Sequence, residues 1–224
     1  MDNESLKCMV KSHYQGAFNI PWGETWYSNV IKSLVLSAVE NDELRKENDD
    51  KFPNINDEWQ PYELIIETQI GLILLLCQSY ITSVISKIKK FHSDYSSLFN
   101  KELSGFSTKK QHLIKLCSKA YKDTAYTEIE ALDHLANYFK HHEEWLCKPN
   151  LMKNSAKRTA DAVSELGLDL HQSLWYSRNL SLAVKSLGVD NLVQLPNLLL
   201  IIDSWKEEIG KVYRDSGVFD VEKA

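Results

Sequence analysis

The chain has 224 residues, 43% of them hydrophobic and 25% charged, the make-up of a globular protein with a sizeable core, which excludes a chain disordered along most of its length. Its four cysteines, Cys8, Cys77, Cys117 and Cys147, stand far apart with no C-x-x-C pair, so neither a zinc knuckle nor a disulfide framework is encoded, and reduced thiols in a cytoplasmic protein are expected. The net charge of -5 is unevenly spread: between Lys87 and Lys122 nine lysines face only Asp94 and Glu102, a local balance of +7 against -12 elsewhere, and such asymmetry suits an anionic partner such as nucleic acid.

The opening MDNESLKCMV lacks the basic start and apolar run of a signal peptide, and residues 1–20 are expected to be loose. A first helix is predicted after Gly23, with Trp26, Val30, Leu34 and Ala38 on one buried face, dissolving in the charged segment Asn41 to Lys51. Pro61 suits the first turn of a long second helix running through Leu64, Leu72, Ile81 and Ile88, because proline there loses no hydrogen-bond partner. Its stretch from Leu64 to Ile85 is the nearest thing to a membrane span. Glu67, Gln69 and Gln78 interrupt it, no run approaches the roughly 20 apolar residues that crossing requires, and a buried core helix without membrane contact is expected.

A third helix is predicted from Ser107 or Thr108, using Leu113, Ile114, Leu116 and Ala120, with Lys115, Lys119 and Lys122 forming a cationic stripe on its other side. A fourth begins near Thr127, where T-E-I-E has the form of a capping box: the hydroxyl accepts from the Glu130 N–H while the Glu130 side chain reaches back. It runs to about Trp145 and stops before Pro149. Three more helices are predicted, at about 151–166 ended by Gly167, about 170–187 ended by Gly188, and about 191–213 with Pro196 in its first turns. The fold class expected is all-α: one domain, residues 1–224, built as an antiparallel bundle of about six to seven helices with loose ends near 1–20 and 215–224.

The fourth helix carries the densest chemistry. At about 100° per residue, Ile129, Leu132, Leu135, Ala136 and Phe139 gather on one face, and Glu130, Asp133, His134, Asn137, His141 and Glu144 lie opposite, with Lys140 and Trp145 flanking and His142 towards the edge of the apolar side. Residues four apart touch, so Asn137 can bond His141 and Glu130 can bond His134. Imidazole both takes and gives a proton near neutrality, a carboxylate neighbour would raise its pKa, and an amide would orient the ring. Three of the chain's seven histidines fall within this strip. The bland alternative is a solvated polar face.

At these residues the sequence resembles the HEPN superfamily, helical bundles of prokaryotic toxin, antitoxin and anti-phage systems and of RNA-processing nucleases. The family's mark is an arginine, a polar residue that is often asparagine, three further residues and a histidine on one late helix; Asn137-Tyr138-Phe139-Lys140-His141 matches its second half, and the arginine's position is Ala136. The resemblance implies a homodimer with the motif helices of two protomers facing each other, RNA as substrate or ligand, an antitoxin or other protein as partner, and cleavage without metal or cofactor. It makes His141 the general acid or base and Asn137 its orienting neighbour. Lys140 is the cation nearest to filling the arginine's role, though as a point charge without a planar fork. His134 and Glu130 complete the candidate catalytic set, and Lys109, Lys115, Lys119 and Lys122 the candidate RNA-binding set. The implied alternative is a catalytically inactive dimer that serves as a protein-interaction module.

Two competing readings remain. Glu130, Asp133, His134 and His141 are metal-ligand types, but His134 and His141 are seven residues apart, about 10.5 Å in rise, and would need ligands from a second helix. Arg178-Asn179 repeats the opening dipeptide of the motif, but Ala183 stands where its histidine should, and Arg178 is assigned to structure. No phosphate-binding glycine loop, nucleophile elbow or H-E-x-x-H is present.

Overall fold

The longest helix, α3, spans Pro61–Phe99, 39 residues and so about 58 Å, and the rest of the chain packs around it. The computed structural model describes residues 2–18, 21–51, 61–100, 103, 105–147, 154–168, 178–216 and 218–219, with the side chains of all these except 21–25, 49–51, 143–147 and 154–156. The other helices are α1 (Asn3–Phe18), α2 (Pro21–Lys51), α4 (Lys110–Leu113), α5 (Glu128–Cys147), α6 (Asn154–Glu165), α7 (Asn179–Ser186) and α8 (Asn197–Asp215). No strand occurs among the described residues; one isolated bridge joins Ala120 to Thr127. The chain is an all-α helical bundle, as expected.

α3 starts where the sequence indicates, with Pro61 and Glu63 in its first turn, positions that suit a missing N–H and the positive end of the helix dipole. It buries Ile66, Ile70, Ile73, Leu74, Cys77, Ile81, Val84, Ile85 and Ile88 against α1, α2, α5, α7 and α8. By length and composition it is in fact apolar enough to cross a bilayer, contrary to the expectation above, but 61% of that window is buried inside the bundle. The three polar residues that interrupt it are all buried, and each ties it to a neighbour. The Glu67 carboxylate accepts from the N–H groups of Leu180 (2.8 Å) and Ser181 (2.9 Å) and from the Ser181 hydroxyl, capping the start of α7. Gln69 donates to Ser37 Oγ of α2 at 2.7 Å, and Gln78 reaches α5.

Pairings along α3 fix the directions of its neighbours. Gln69 with Ser37 and Ser79 with Tyr27 make α2 antiparallel to α3, and Gly71 with Phe139 and Gln78 with Asp133 do the same for α5. α8 runs parallel to α3: Tyr80 donates to Asp203 at 2.6 Å, and His92 meets Tyr213 at 2.5 Å.

Three expectations about the first half of the chain need correction. Residues 3–18 are helical, because Val10, Tyr14, Ala17 and Phe18 recur at helical spacing and are buried, with Tyr14 donating to the Gly210 carbonyl at 2.8 Å. α2 starts earlier and does not dissolve after Asn41: Asp42 pairs with Arg45 at 3.0 Å and Lys46 at 2.7 Å, one turn away, and these pairs keep the charged end helical. The third predicted helix shrinks to the single turn of α4. The chain reaches a left-handed conformation at Cys117 (φ 60°), and the Leu113 and Leu116 carbonyls accept from the Trp205 indole N–H of α8 at 3.2 and 3.0 Å. The predicted helix over 170–187 is described only as α7, since 169–177 lie outside the described residues.

Gly167 (φ 88°) and Gly188 (φ 81°) take the left-handed conformation just past α6 and α7, as their positions in the sequence indicate. The last helix starts later than expected: Leu192–Gln194 form a separate 3-10 turn, and Pro196 stands just before α8 and not within its first turns. The stop at Pro149, most of the expected loose C-terminus, and the Glu144 and Trp145 side chains lie outside what is described.

Candidate functional site

The site is built on the start of α5. The Glu130 N–H donates to Thr127 Oγ1 at 3.3 Å and the Thr127 N–H donates to Glu130 Oε2 at 3.0 Å, the reciprocal capping box read from the sequence. The amphipathic division of the helix is only half as expected. Ile129, Leu132, Leu135 and Ala136 are fully enclosed, but so, nearly, are Glu130 and Asp133 on the other side, with 5% and 7% of their surface exposed. The strip is a covered seam and not an open wet face.

Two elements cover it. From α3, the Gln78 amide nitrogen donates to Asp133 Oδ1 at 2.8 Å and to Asn137 Oδ1 at 3.1 Å, and Gln78 Oε1 accepts from Lys140 Nζ at 2.8 Å. One buried side chain thus binds three members of the strip. From the segment after α3, Lys110 pairs with Asp133 at 2.7 Å and Lys115 with Glu130 at 3.3 Å. Lys119 stands by Glu128, whose carboxyl is pushed above its usual range by burial while the lysine opposes the shift.

This placement corrects the cationic stripe. Lys115, Lys119 and Lys122 lie in turns and irregular chain, not on one helix, and the segment lays Lys110, Lys115 and Lys119 along the acidic edge of α5. Lys122 has a left-handed backbone (φ 48°) and donates to Ser186 Oγ at 2.6 Å. Lys109, exposed, precedes α4 and lines a separate cavity.

The histidines divide. His134 lies edge-on to Tyr126 at 5.4 Å, and its Nδ1 is buried without a hydrogen-bond partner, so the expected bond with Glu130 is not made through that atom. Burial lowers its pKa, outweighing the upward pull of Asp133 and Glu130, which reverses the expectation that carboxylate neighbours would raise it. His142 is enclosed against Tyr138, ring centroids 4.6 Å apart. His141 and Asn137 are half-buried, and Lys140 is exposed; these three form the accessible edge of the strip. Arg178 pairs with Glu63 at the start of α3.

As a metal site the strip offers little: among the described residues no three His, Cys, Asp or Glu side chains converge, and the two carboxylates are engaged by lysines. Gln78, the residue that organises the strip, escaped the sequence reading as a site residue. Its signal was an amide inside an apolar helix, which cannot be left buried without a partner.

Beside this edge runs the open side of α3. Ile65, Thr68, Leu72, Ser79, Thr82 and Ser86 are exposed at helical spacing, a line with no charged residue until Lys89. Ile65 and Leu72 show 39% and 40% of their surface. Across Ser79, Tyr27 of α2 brings up Trp26, which is 56% exposed.

No protein-family model, curated protein or solved structure matches the chain.

Proposed function

We propose that this chain is a catalytically silent HEPN-like helical bundle that pairs with a second copy of itself and serves as a protein-interaction module. The observation that carries the pairing is the uncharged open face of α3 beside the accessible edge of α5. A two-fold dimer brings the same patch against itself, so an uncharged face meets its mate without like-charge contact, whereas the rest of a chain of net charge -5 repels its copy. The silence is supported by Ala136, fully buried where the family motif carries arginine, and by the lysine and glutamine bonds that hold Glu130, Asp133, Asn137 and Lys140. A cytoplasmic setting among prokaryotic defence or toxin–antitoxin proteins, with an antitoxin-like partner, follows from the family resemblance.

Light scattering on the purified chain should give twice the monomer mass, and Leu72→Glu should return it to the monomer with an unchanged circular-dichroism spectrum. A wild type that is monomeric at tens of micromolar, or an L72E variant that still dimerises, overturns the pairing.

One observation favours a second reading, metal-independent RNA cleavage: His141, Asn137 and Lys140 share the edge next to that face, so a dimer would bring two copies of them near each other. RNA incubated with the protein in EDTA should stay intact. Cleavage that persists in EDTA and disappears in His141→Ala would install the second reading in place of the first.

A further inference from the structure

Between the second half of α3 and the segment after it lies a cavity of about 500 Å³, apart from the α5 strip. That is within the size range of small-ligand sites. Its lining is chemically one-sided. Lys89 and Lys109 supply ammonium groups, Ser93, Ser96 and Thr108 supply hydroxyls, and no carboxylate appears among the described lining residues.

The inner wall is aromatic and hydrogen-bonded. His92 of α3 is 9% exposed, its Nε2 lies 2.5 Å from the Tyr213 hydroxyl of α8, and Phe106 stacks on Tyr213 with centroids 4.2 Å apart. Burial pushes the Tyr213 phenol well above its usual range, so the hydroxyl keeps its proton, and it shares a hydrogen bond with Nε2. Burial also lowers the His92 pKa, which favours the neutral ring. The cations and hydroxyls are all donors to an anionic oxygen, and Phe106 adds an apolar wall. The 280 Å³ cavity at the other end of α3 differs: there Arg178 and Arg45 are matched by Glu63 and Asp42.

We infer that the Lys89–His92–Lys109 cavity binds a phosphate-bearing ligand of mononucleotide size. The phosphate accepts from the two lysines and the hydroxyls, and the base or sugar lies against Phe106. This assignment does not depend on dimerisation or on the α5 strip. Free nucleotides and the terminal phosphate of an RNA strand share the recognised chemistry.

Calorimetric titration of the full chain tests it with AMP, pyrophosphate, adenosine, and an oligoribonucleotide bearing either a 5′-phosphate or a 5′-hydroxyl. AMP and pyrophosphate should bind and adenosine should not. Both lysines are exposed, so K89A/K109A should fold as wild type while weakening AMP binding about tenfold or more, the loss expected for a charge-assisted bond. Ser93→Asp, which places a carboxylate in the cavity, should abolish it. Preference for the 5′-phosphorylated strand over AMP would identify an RNA end as the source, and the reverse a free nucleotide. Failure of both AMP and pyrophosphate to bind wild type, equal binding of adenosine and AMP, or wild-type affinity in K89A/K109A would overturn the assignment. L72E should bind AMP as wild type does, so loss of the dimer and loss of this site read out separately.

Discussion

The Lys140 ammonium of α5 meets the Gln78 side-chain carbonyl of α3 at 2.8 Å, and the same amide donates to Asp133 and Asn137. A residue from the most apolar helix thus organises the most polar stretch of the chain. Gln78→Leu keeps the side-chain volume near constant but leaves Asp133 and Asn137 each short of a donor in a covered seam. Urea denaturation should show a loss of about 1–3 kcal/mol, the cost of unsatisfied buried polar groups. A variant as stable as wild type would mean that water replaces the amide and that the seam is open.

The start of α5 gives a second test. Thr127 and Glu130 satisfy each other's backbone N–H groups, so Thr127→Ala should cost about 1 kcal/mol, and Thr127→Ser, which keeps the hydroxyl, well under half of that. Chemical denaturation of the pair separates the cap from the loss of a methyl group. Equal losses would assign the effect to packing.

That capping box was legible because all its partners lie within one turn, and the same is true of Pro61 and of Gly167 and Gly188. Local chemistry also marked the apolar face of α5. What covers its polar face was not legible. A helical period separates faces but does not say which face meets another element, and Gln78, Lys110 and Lys115 arrive there from elsewhere in the chain. The third helix failed for the same reason: Leu113, Ile114, Leu116 and Ala120 have helical spacing, but the Trp205 indole takes the carbonyls that a longer helix would have used. Residues 3–18 carry the helical period in Val10, Tyr14 and Phe18, but the helices that bury that face, α3 and α8, lie far along the chain.

Gly71 lets the α3 backbone lie directly against the Phe139 side chain of α5. A Cβ built there would fall within the Phe139 ring, so the two helices are packed backbone to aromatic face. Gly71→Ala normally favours a helix by about 1 kcal/mol, but here the overlap should win, with a net loss of about 1–3 kcal/mol by thermal or urea unfolding. Phe139→Leu should recover part of it, because the smaller side chain vacates the overlapped space. Additive single losses in the double variant would show that the two residues do not touch.

His134 gives a pH dependence of defined sign. Burial holds its pKa below 6.5, with Lys110 and Arg158 lowering it further and Asp133 and Glu130 opposing. The unfolded chain therefore binds this proton more tightly than the folded one. Stability from His134 is present above pH 6.5 and is lost as the pH falls through the depressed value. Glu67 acts oppositely: burial raises its carboxyl above 4.5, so its contribution is greatest when protonated and declines as the pH rises through the raised value. The wild-type profile mixes these with the lowered His92 and the raised Glu128, but its difference from His134→Gln isolates the imidazole. That difference should favour wild type increasingly as the pH rises from the depressed value towards 6.5 and then level off. A flat difference would mean that the folded imidazole titrates as it does in water, which is incompatible with a buried Nδ1 that has no hydrogen-bond partner.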